Sequence, residues 1–470
     1  MLFDLLERHA ADRPDHTAII RGETGLTWGQ WRTKAARLAS GLSARGIGPD
    51  DTVALLMPNS TFFAVALLAL SRIGAQVLPL PTDLSTTEVR NALDAVGCRT
   101  VFAADLVSVN TDTAMRVFQV AREDFGEPAL ARLASDSVDG PCAMGASDAA
   151  FCQLLTSGTT GGPRRVVRTQ AALYALASAY CETAGLTAAD RTLCVTPLRH
   201  GHGLCTGLLA PLFSGSTLVL EPTFERRTTL RLLNAERIST FSAPPYIFSI
   251  LAESVSGEPW ACPSLRLGVS AGAPLLRDTW HNVRARLGIQ LRQCYGASET
   301  GMLTMNTDVD PEPGMESVGR PIAGVELRTG PDGDIAVKSR GAATWWAALE
   351  PGQSLTELAD SSGWIQLSDT GRLDPAGRLH LTGRKSRFLN IAGRKVNPSE
   401  VEAVLESHPR VTKASLVAMT DKHGSEAAKA VVYSSAPLTP EDVAAFCHDR
   451  LAPYKRPRLI EIRHDADRSK

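Results

Sequence analysis

Between Phe151 and Val167 the chain reads FCQLLTSGTTGGPRRVV, an apolar strand-like run that breaks into Thr156, Ser157, Gly158, Thr159, Thr160 and Gly161. Such a segment suits a polyphosphate. Glycines let backbone N–H groups converge on one anion, hydroxyls add donors, and Arg164 behind Pro163 adds positive charge. The spacing is not that of a Walker loop, because Pro163 stands at that motif's second glycine. Alone, the segment is equally a flexible Ser/Thr/Gly turn. More than a hundred residues later the chain reads QCYGASETG from Gln293 to Gly301. Here Tyr295 can stack on a nucleobase, Ser298 can donate to a phosphate oxygen, and Glu299 can hold a magnesium ion. The plainer reading is a Tyr-Gly turn before a helix cap, with Ser298 and Glu299 exposed. Between the two segments, Ser270–Leu275 (SAGAPL) ends a strand with Ala271, Gly272 and Ala273, small residues that let a planar ring lie against the backbone.

The elements around these segments alternate between helix and strand. Thr27 and Gln30 have capping-box spacing and open a helix with the apolar stripe Trp28, Trp31, Ala35, Leu38 and Leu42, closed by Gly46. A strand over Thr52–Met57 follows, then Asn59 and Ser60 as caps for an apolar helix Phe62–Ile73, Gly74 as its stop, and a strand at Val77–Leu80. This alternation predicts an α/β fold with parallel-rich sheets flanked by helices. Glu127–Asp148, rich in Ala, Ser, Gly and Asp, reads as a connector. After Arg384 the character changes: a Gly/basic loop, a helix near Pro398, strands at Ala414–Met419 and Ala430–Tyr433, and a helix Pro440–Leu451. The expected division is a large N-terminal domain over residues 1–386 and a small, mobile α+β domain over 387–470.

Length requires more than one core. Forty-nine basic residues against 50 acidic ones, a net charge of -1, leave no electrostatic footprint for nucleic acid or an anionic membrane. Nine cysteines without a CxxC pair argue against a disulfide framework or zinc site and for a reducing cytoplasm. Cys152 and Cys294, beside the two segments above, read as buried packing rather than nucleophiles. The N-terminus lacks the apolar core of a signal peptide, and no apolar stretch is long enough to span a bilayer.

The glycine-rich loop, SAGAP and YGASE, in this order, resemble the adenylate-forming superfamily of acyl-CoA synthetases, peptide-synthetase adenylation domains and luciferases. LTWGQWRTKAARLASGL, VALLMPNS and the pair Gly319–Arg320 before Pro321 share the likeness, which covers nearly the whole chain. The resemblance implies ATP-dependent activation of a small carboxylic acid as an acyl-adenylate, then transfer to a thiol, with ATP and Mg2+ bound. It places the Thr156–Gly161 loop on the β- and γ-phosphates, and Thr156 and Glu299 on the metal. Gly272, Ala273, Pro274 and Tyr295 match the adenine site, with Gly296 and Ala297 in the same nucleotide segment, and Ser298 faces the α-phosphate. Asp369 in LSDTG matches a ribose-binding aspartate, for which a simple turn residue is the alternative. Arg384 matches a nucleotide-contacting arginine. In PLRHGHGL, His200 takes the position of a histidine lining the acyl pocket, and His202 is an additional one, equally readable as a surface loop histidine. Gly203, Ala271 and Ala297 complete the expected acid site.

The chain also departs from the family pattern. Arg164 and Arg165 replace a lysine and a glycine, Ser368 replaces a glycine before Asp369, and Arg387 stands where many members have a hinge aspartate. Gly201 stands where peptide-synthetase domains place an aspartate for an α-ammonium group, which argues against an α-amino acid. LAPYKRP at Leu451–Pro457 leads toward the family's C-terminal catalytic lysine, for which Lys470 is the candidate. The expected acceptor is coenzyme A. A carrier-protein phosphopantetheine, an amine, or a catalytically impaired nucleotide-binding relative are the alternatives.

Overall fold

Helix Trp28–Ser43 opens with the anticipated capping box, Gln30 N donating to Thr27 Oγ1 at 3.2 Å and Thr27 N to Gln30 Oε1 at 3.0 Å. Its apolar stripe is buried, with Trp28 and Trp31 stacked at 5.5 Å, and it packs on helix Thr61–Ile73. That second helix is apolar almost all round and almost wholly buried, as a helix enclosed by two layers must be. Each fully buried side chain such as Phe62 contributes about 1.5–3 kcal/mol. Ser60 caps the helix and left-handed Gly74 ends it. Asn59 does something other than cap, described below.

This computed structural model describes residues 2–104, 115–120, 133, 146–157, 163–255, 260, 262–308, 315–384, 389–391, 394–420 and 426–464. Among the described residues, three sheets form the large domain. A nine-stranded sheet runs in the order 320–321, 301–305, 291–297, 267–270, 240–243, 191–194, 217–220, 17–21, 24–27. Its strands from 17–21 across to 291–297 are all parallel. An eight-stranded sheet has the order 356–357, 345–348, 163–169, 150–157, 76–80, 52–56, 100–104, 116–120, parallel from 150–157 outward to 116–120. A four-stranded antiparallel sheet carries 325–329, 334–339, 365–373 and 379–384. The α/β class with parallel-rich sheets is therefore the observed one.

The C-terminal unit is α+β. Helices Pro398–Glu406 and Pro440–His448 accompany antiparallel strands Lys413–Thr420 and Glu426–Ser434, and Leu459–His464 adds a parallel third strand. It has its own apolar cluster, including Val396, Val401, Leu405, Leu416, Ala430 and Val443. The boundary expected at 386/387 and the hinge residue Arg387 lie outside the described residues, as does nearly all of the Glu127–Asp148 connector.

Candidate active site

In open parallel sheets, ligands sit beyond the carboxyl ends of the strands, where loops diverge. Here those ends carry the chemistry-bearing segments. Strand 191–194 leads to His200, strand 267–270 to Ala271 and Gly272, strand 291–297 to Ser298 and Glu299, and strand 150–157 contains Thr156. They share one cavity of about 420 Å³. Thr156, His200, His202, Ala271, Gly272, Gly296, Ala297, Ser298, Glu299 and Arg384 all line it, although they come from segments spread over more than 200 residues.

Beside the cavity, strands 150–157 and 163–169 form a hairpin pairing Thr156 with Arg164 and Ser157 with Pro163. Its tip, which holds Gly158, Thr159, Thr160 and Gly161, lies outside the described residues, and so does Lys470. Thr156 Oγ1 is buried with no hydrogen-bond partner. A buried hydroxyl without a partner costs free energy unless a ligand completes it. Together with the Glu299 carboxylate in the same cavity, it is a donor set that fits a phosphate-bound magnesium ion, which habitually takes one or two protein oxygens. Arg164 was expected to face the phosphates. It instead stacks its guanidinium over Trp346, 4.3 Å from the ring centre, and does not line the cavity.

The Ser298–Glu299 turn is held by a residue that sequence reading passed over. Arg168 is 1% exposed, donating to Ser298 O at 2.7 Å and Gly341 O at 3.2 Å. Burial pulls its pKa down, with the Glu299 charge among the groups opposing that. Ala343 N donates to Glu299 O at 2.8 Å, so the turn's backbone is fixed independently of the Glu299 carboxylate. Gly296 serves that backbone too: a Cβ there would lie 2.2 Å from Gly301 O. Gly272, at φ +85°, has open space where a side chain would stand, as a ring-binding surface requires. Ala273 and Pro274 do not line the cavity.

Tyr295 was expected to stack on a nucleobase. Its ring packs among Leu303, Ile335, Val337 and Leu379, and its hydroxyl donates to Asp369 Oδ2 at 2.7 Å. Burial and then the Asp369 charge raise its pKa. Asp369 Oδ1 also receives Arg384 Nε at 3.2 Å, because the two residues face each other in the antiparallel register. Tyr295, Asp369 and Arg384 are thus brought together, bonded to one another, and of the three Arg384 lines the cavity. Cys152 and Cys294 are buried thiols with raised pKa, Cys152 up to about 12, as packing residues should be.

The histidine loop is anchored by Asn59. Its Oδ1 accepts from Leu198 N at 2.7 Å, and its Nδ2 donates to Thr196 O at 3.0 Å and Glu221 O at 3.1 Å. His200 then begins the short helix Gly201–Leu204, with Nε2 buried and unpartnered. His202 Nε2 shares a 2.7 Å hydrogen bond with Ser242 Oγ. Gly203 departs from expectation. It faces backbone rather than ligand, for a Cβ there would sit 2.3 Å from Pro197 O.

Burial lowers both histidines, His202 from 6.5 to about 4 and His200 well below its usual value with help from Arg199. Both are therefore neutral at pH 7. Above about 6.5 neither the folded nor the unfolded chain protonates them; as pH falls towards 4 the unfolded chain takes up protons that the folded chain refuses, so stability is lost. On acidification from pH 8 to 5, the wild type should lose more Tm than His202→Gln, a variant that cannot titrate. Equal losses would contradict this linkage.

The far end of the cavity is closed by the C-terminal unit. Arg394, Glu400, Tyr454 and Lys455 line it there, opposite Pro81, Leu84 and Glu88 of the large domain. Lys455 Nζ lies between two carboxylates, 2.7 Å from Glu88 Oε1 and 2.5 Å from Glu400 Oε1. Burial opposes its charge, but Glu400, Tyr454 and Glu88 more than offset this and raise its pKa. Arg394 pairs with Asp83 and lies 4.5 Å over the Tyr454 ring. No sequence signal joins Glu88 to a lysine more than 360 residues away.

A cleft lined by carboxylate, hydroxyl and arginine of the large domain, and by residues of a second domain, fits an enzyme that activates acids on a nucleotide. The chain belongs to the AMP-binding enzyme family: the family model matches residues 6–333, and that of the AMP-binding enzyme C-terminal domain matches 400–469. It is 30% identical to a 3-[(3aS,4S,7aS)-7a-methyl-1,5-dioxo-octahydro-1H-inden-4-yl]propanoyl:CoA ligase of Mycobacterium tuberculosis, over 97% of this chain and 94% of that one. It is 29% identical to 2-succinylbenzoate–CoA ligase of Bacillus licheniformis, over 97% and 95%. Among solved structures, o-succinylbenzoate CoA synthetase of Bacillus subtilis is similar in two states. A double mutant bound to its product analogue gives a TM-score of 0.87 at 26% identity, covering 98% of this chain and 94% of that one. The complex with the acyl-adenylate intermediate gives 0.73 at 25% identity and the same coverage. The protein is an adenylate-forming acid–thiol ligase: it uses ATP to activate a carboxylic acid and transfers the acyl group to a thiol. No helix among the described residues is long and apolar enough to cross a membrane.

Proposed function

We propose that the thiol acceptor is coenzyme A and that both half-reactions take place in the 420 Å³ cavity shared by the two domains. The observation that carries this reading is the cavity's lining. Thr156, His200, His202, Ala271, Ser298 and Glu299 of the large domain line it together with Arg394, Tyr454 and Lys455 of the C-terminal unit. The higher TM-score to the product-analogue form of the relative than to its acyl-adenylate form supports a domain arrangement suited to the second half-reaction. The coenzyme A ligases among the relatives support the choice of acceptor.

In the first half-reaction a carboxylate oxygen attacks the α-phosphorus, the bond to the bridging oxygen breaks, and pyrophosphate leaves. Both reactants are anions, so their repulsion has to be cancelled before the atoms can approach. Thr156 Oγ1 and Ser298 donate hydrogen bonds there, and Glu299 with Thr156 would hold magnesium, which would supply charge neutralisation at the phosphates. Asp369 and Arg384 fix the ribose side of the nucleotide, and neutral His200 donates toward the carboxylate without carrying charge. In the second half-reaction the acceptor sulfur, its proton lost to solvent, attacks the acyl carbon, and the carbon–oxygen bond to AMP breaks.

Acid-dependent pyrophosphate exchange across short-chain, fatty and aromatic acids tests the first half. Coenzyme A consumption, with a phosphopantetheinylated carrier protein as the competing acceptor, tests the second. Exchange with one class of acid and thioester formation on coenzyme A are expected. Absence of exchange with every acid overturns the reading, and transfer to the carrier protein alone overturns the choice of acceptor.

A further inference from the structure

One cation in the cavity has no ion-pair partner among the described residues. Arg199 lines it, immediately before His200, and makes no hydrogen bond or ion pair among the described residues. Its Nε is buried without an acceptor, and so is Nε2 of His200 beside it. Asp83, whose charge favours the guanidinium, gives its Oδ2 to Arg394 and makes no ion pair with Arg199; its Oδ1 is itself buried without a partner. Burial, and then the neighbouring Arg394 charge, hold the Arg199 pKa down to about 10, which leaves the guanidinium charged at pH 7. Pro81, Leu84, Leu154, Leu155 and Leu349 supply apolar walls to the same space. A purely aliphatic acid filling it would strip water from Arg199 and return nothing, a costly outcome for a charge. An anion would satisfy the guanidinium fork and the His200 ring together.

We propose that the acid activated by this enzyme carries a second anionic group, a carboxylate remote from the reacting one, and that Arg199 is the specificity-determining residue that receives it. This rests on the acid-activating reading above. The two carboxylates of the substrate then divide between two places. One meets the α-phosphate beside Thr156 and Ser298, and the other meets Arg199 toward the C-terminal unit. The position fits a discriminating role, because an arginine left without its anion penalises every acid lacking that group. The chain's own carboxylates at this end, Glu88 and Glu400, are both engaged with Lys455 and so do not quench Arg199.

The test compares succinate, glutarate and adipate with their monomethyl esters and with monocarboxylic acids of equal length. Pyrophosphate exchange and coenzyme A transfer are measured separately in the wild type, Arg199→Met and Arg199→Lys. With the wild type, the best diacid should exceed its own monoester in kcat/KM by about 10- to 100-fold, the range of a hydrogen-bonded charge pair. In Arg199→Met that ratio should fall toward one, and Arg199→Lys should restore part of it. Diacid binding in the absence of ATP, read as a thermal shift, should weaken in parallel. Equal rates for diacid and monoester in the wild type, or a loss in Arg199→Met that is uniform across all acids, overturn the proposal. A defect confined to the coenzyme A step also overturns it, since that would place the anion on the acceptor. Exchange with no acid at all removes the acid-activating reading itself, and this inference with it.

Discussion

Glu299→Gln should lower acid-dependent pyrophosphate exchange by about 100- to 1,000-fold, the scale on which removal of one preorganised electrostatic group acts. Gln keeps the size and one carbonyl oxygen of Glu299, so packing is preserved while the charge that attracts magnesium disappears. The fold should tolerate the change. The turn is held through backbone groups, by Arg168 donating to Ser298 O at 2.7 Å and Ala343 N donating to Glu299 O at 2.8 Å. Exchange should also require more magnesium for half-maximal rate, with Tm nearly unmoved. Exchange within about threefold of wild type would remove Glu299 from the metal site. A large fall in Tm would instead mean that its carboxylate supports the turn itself.

Lys455→Met should separate the two half-reactions. Lys455, a residue 9% exposed, holds its ammonium between Glu88 of the large domain and Glu400 of the small one. Deleting the cation leaves two carboxylates facing each other in a partly buried place, a destabilisation of about 3–5 kcal/mol for a buried pair broken on one side. That penalty falls on the present domain arrangement, since moving the small domain away rehydrates both acids. Thioester formation should therefore drop at least about tenfold, which needs a shift of only roughly 1.4 kcal/mol. Pyrophosphate exchange, whose groups around Thr156 and Glu299 are elsewhere in the cavity, should fall far less. The triple change Glu88→Gln, Glu400→Gln and Lys455→Met should recover part of the loss, because it removes the repulsion as well as the attraction. Equal loss in both half-reactions for the single variant would show that Lys455 does not select between domain arrangements.

Much of this molecule was legible before any coordinates. The helices starting at Trp28 and at Thr61 announce themselves through Thr27, Gln30 and Ser60, whose bonds reach only three residues along the chain. The cavity-lining positions Thr156, Ala271, Ala297, Ser298 and Glu299 were legible because each lies in a short segment whose residue types make sense together. Where expectation and structure part, the deciding contact is distant. Asn59 looked like a helix cap, yet its side chain holds residues 196, 198 and 221. Gly203 looked like room for a substrate, but it is room for the carbonyl of Pro197. Arg164 looked like phosphate charge and is stacked on Trp346 from a strand almost 200 residues away.

The amino-acid sequence by itself determined the alternation of helices and strands, the α/β class and the hydroxyl, glycine and carboxylate segments of the site. Those depend on propensity, period and capping, which act within a few residues of one another. Tertiary structure alone decided which buried charges find partners: Arg168 on the Ser298 turn, Lys455 between Glu88 and Glu400, and Arg199 left facing the cavity. The reason is physical. A charge's fate depends on burial and on neighbours within a few ångströms, and those neighbours arrive from strands and helices that the chain brings together only when its sheets close.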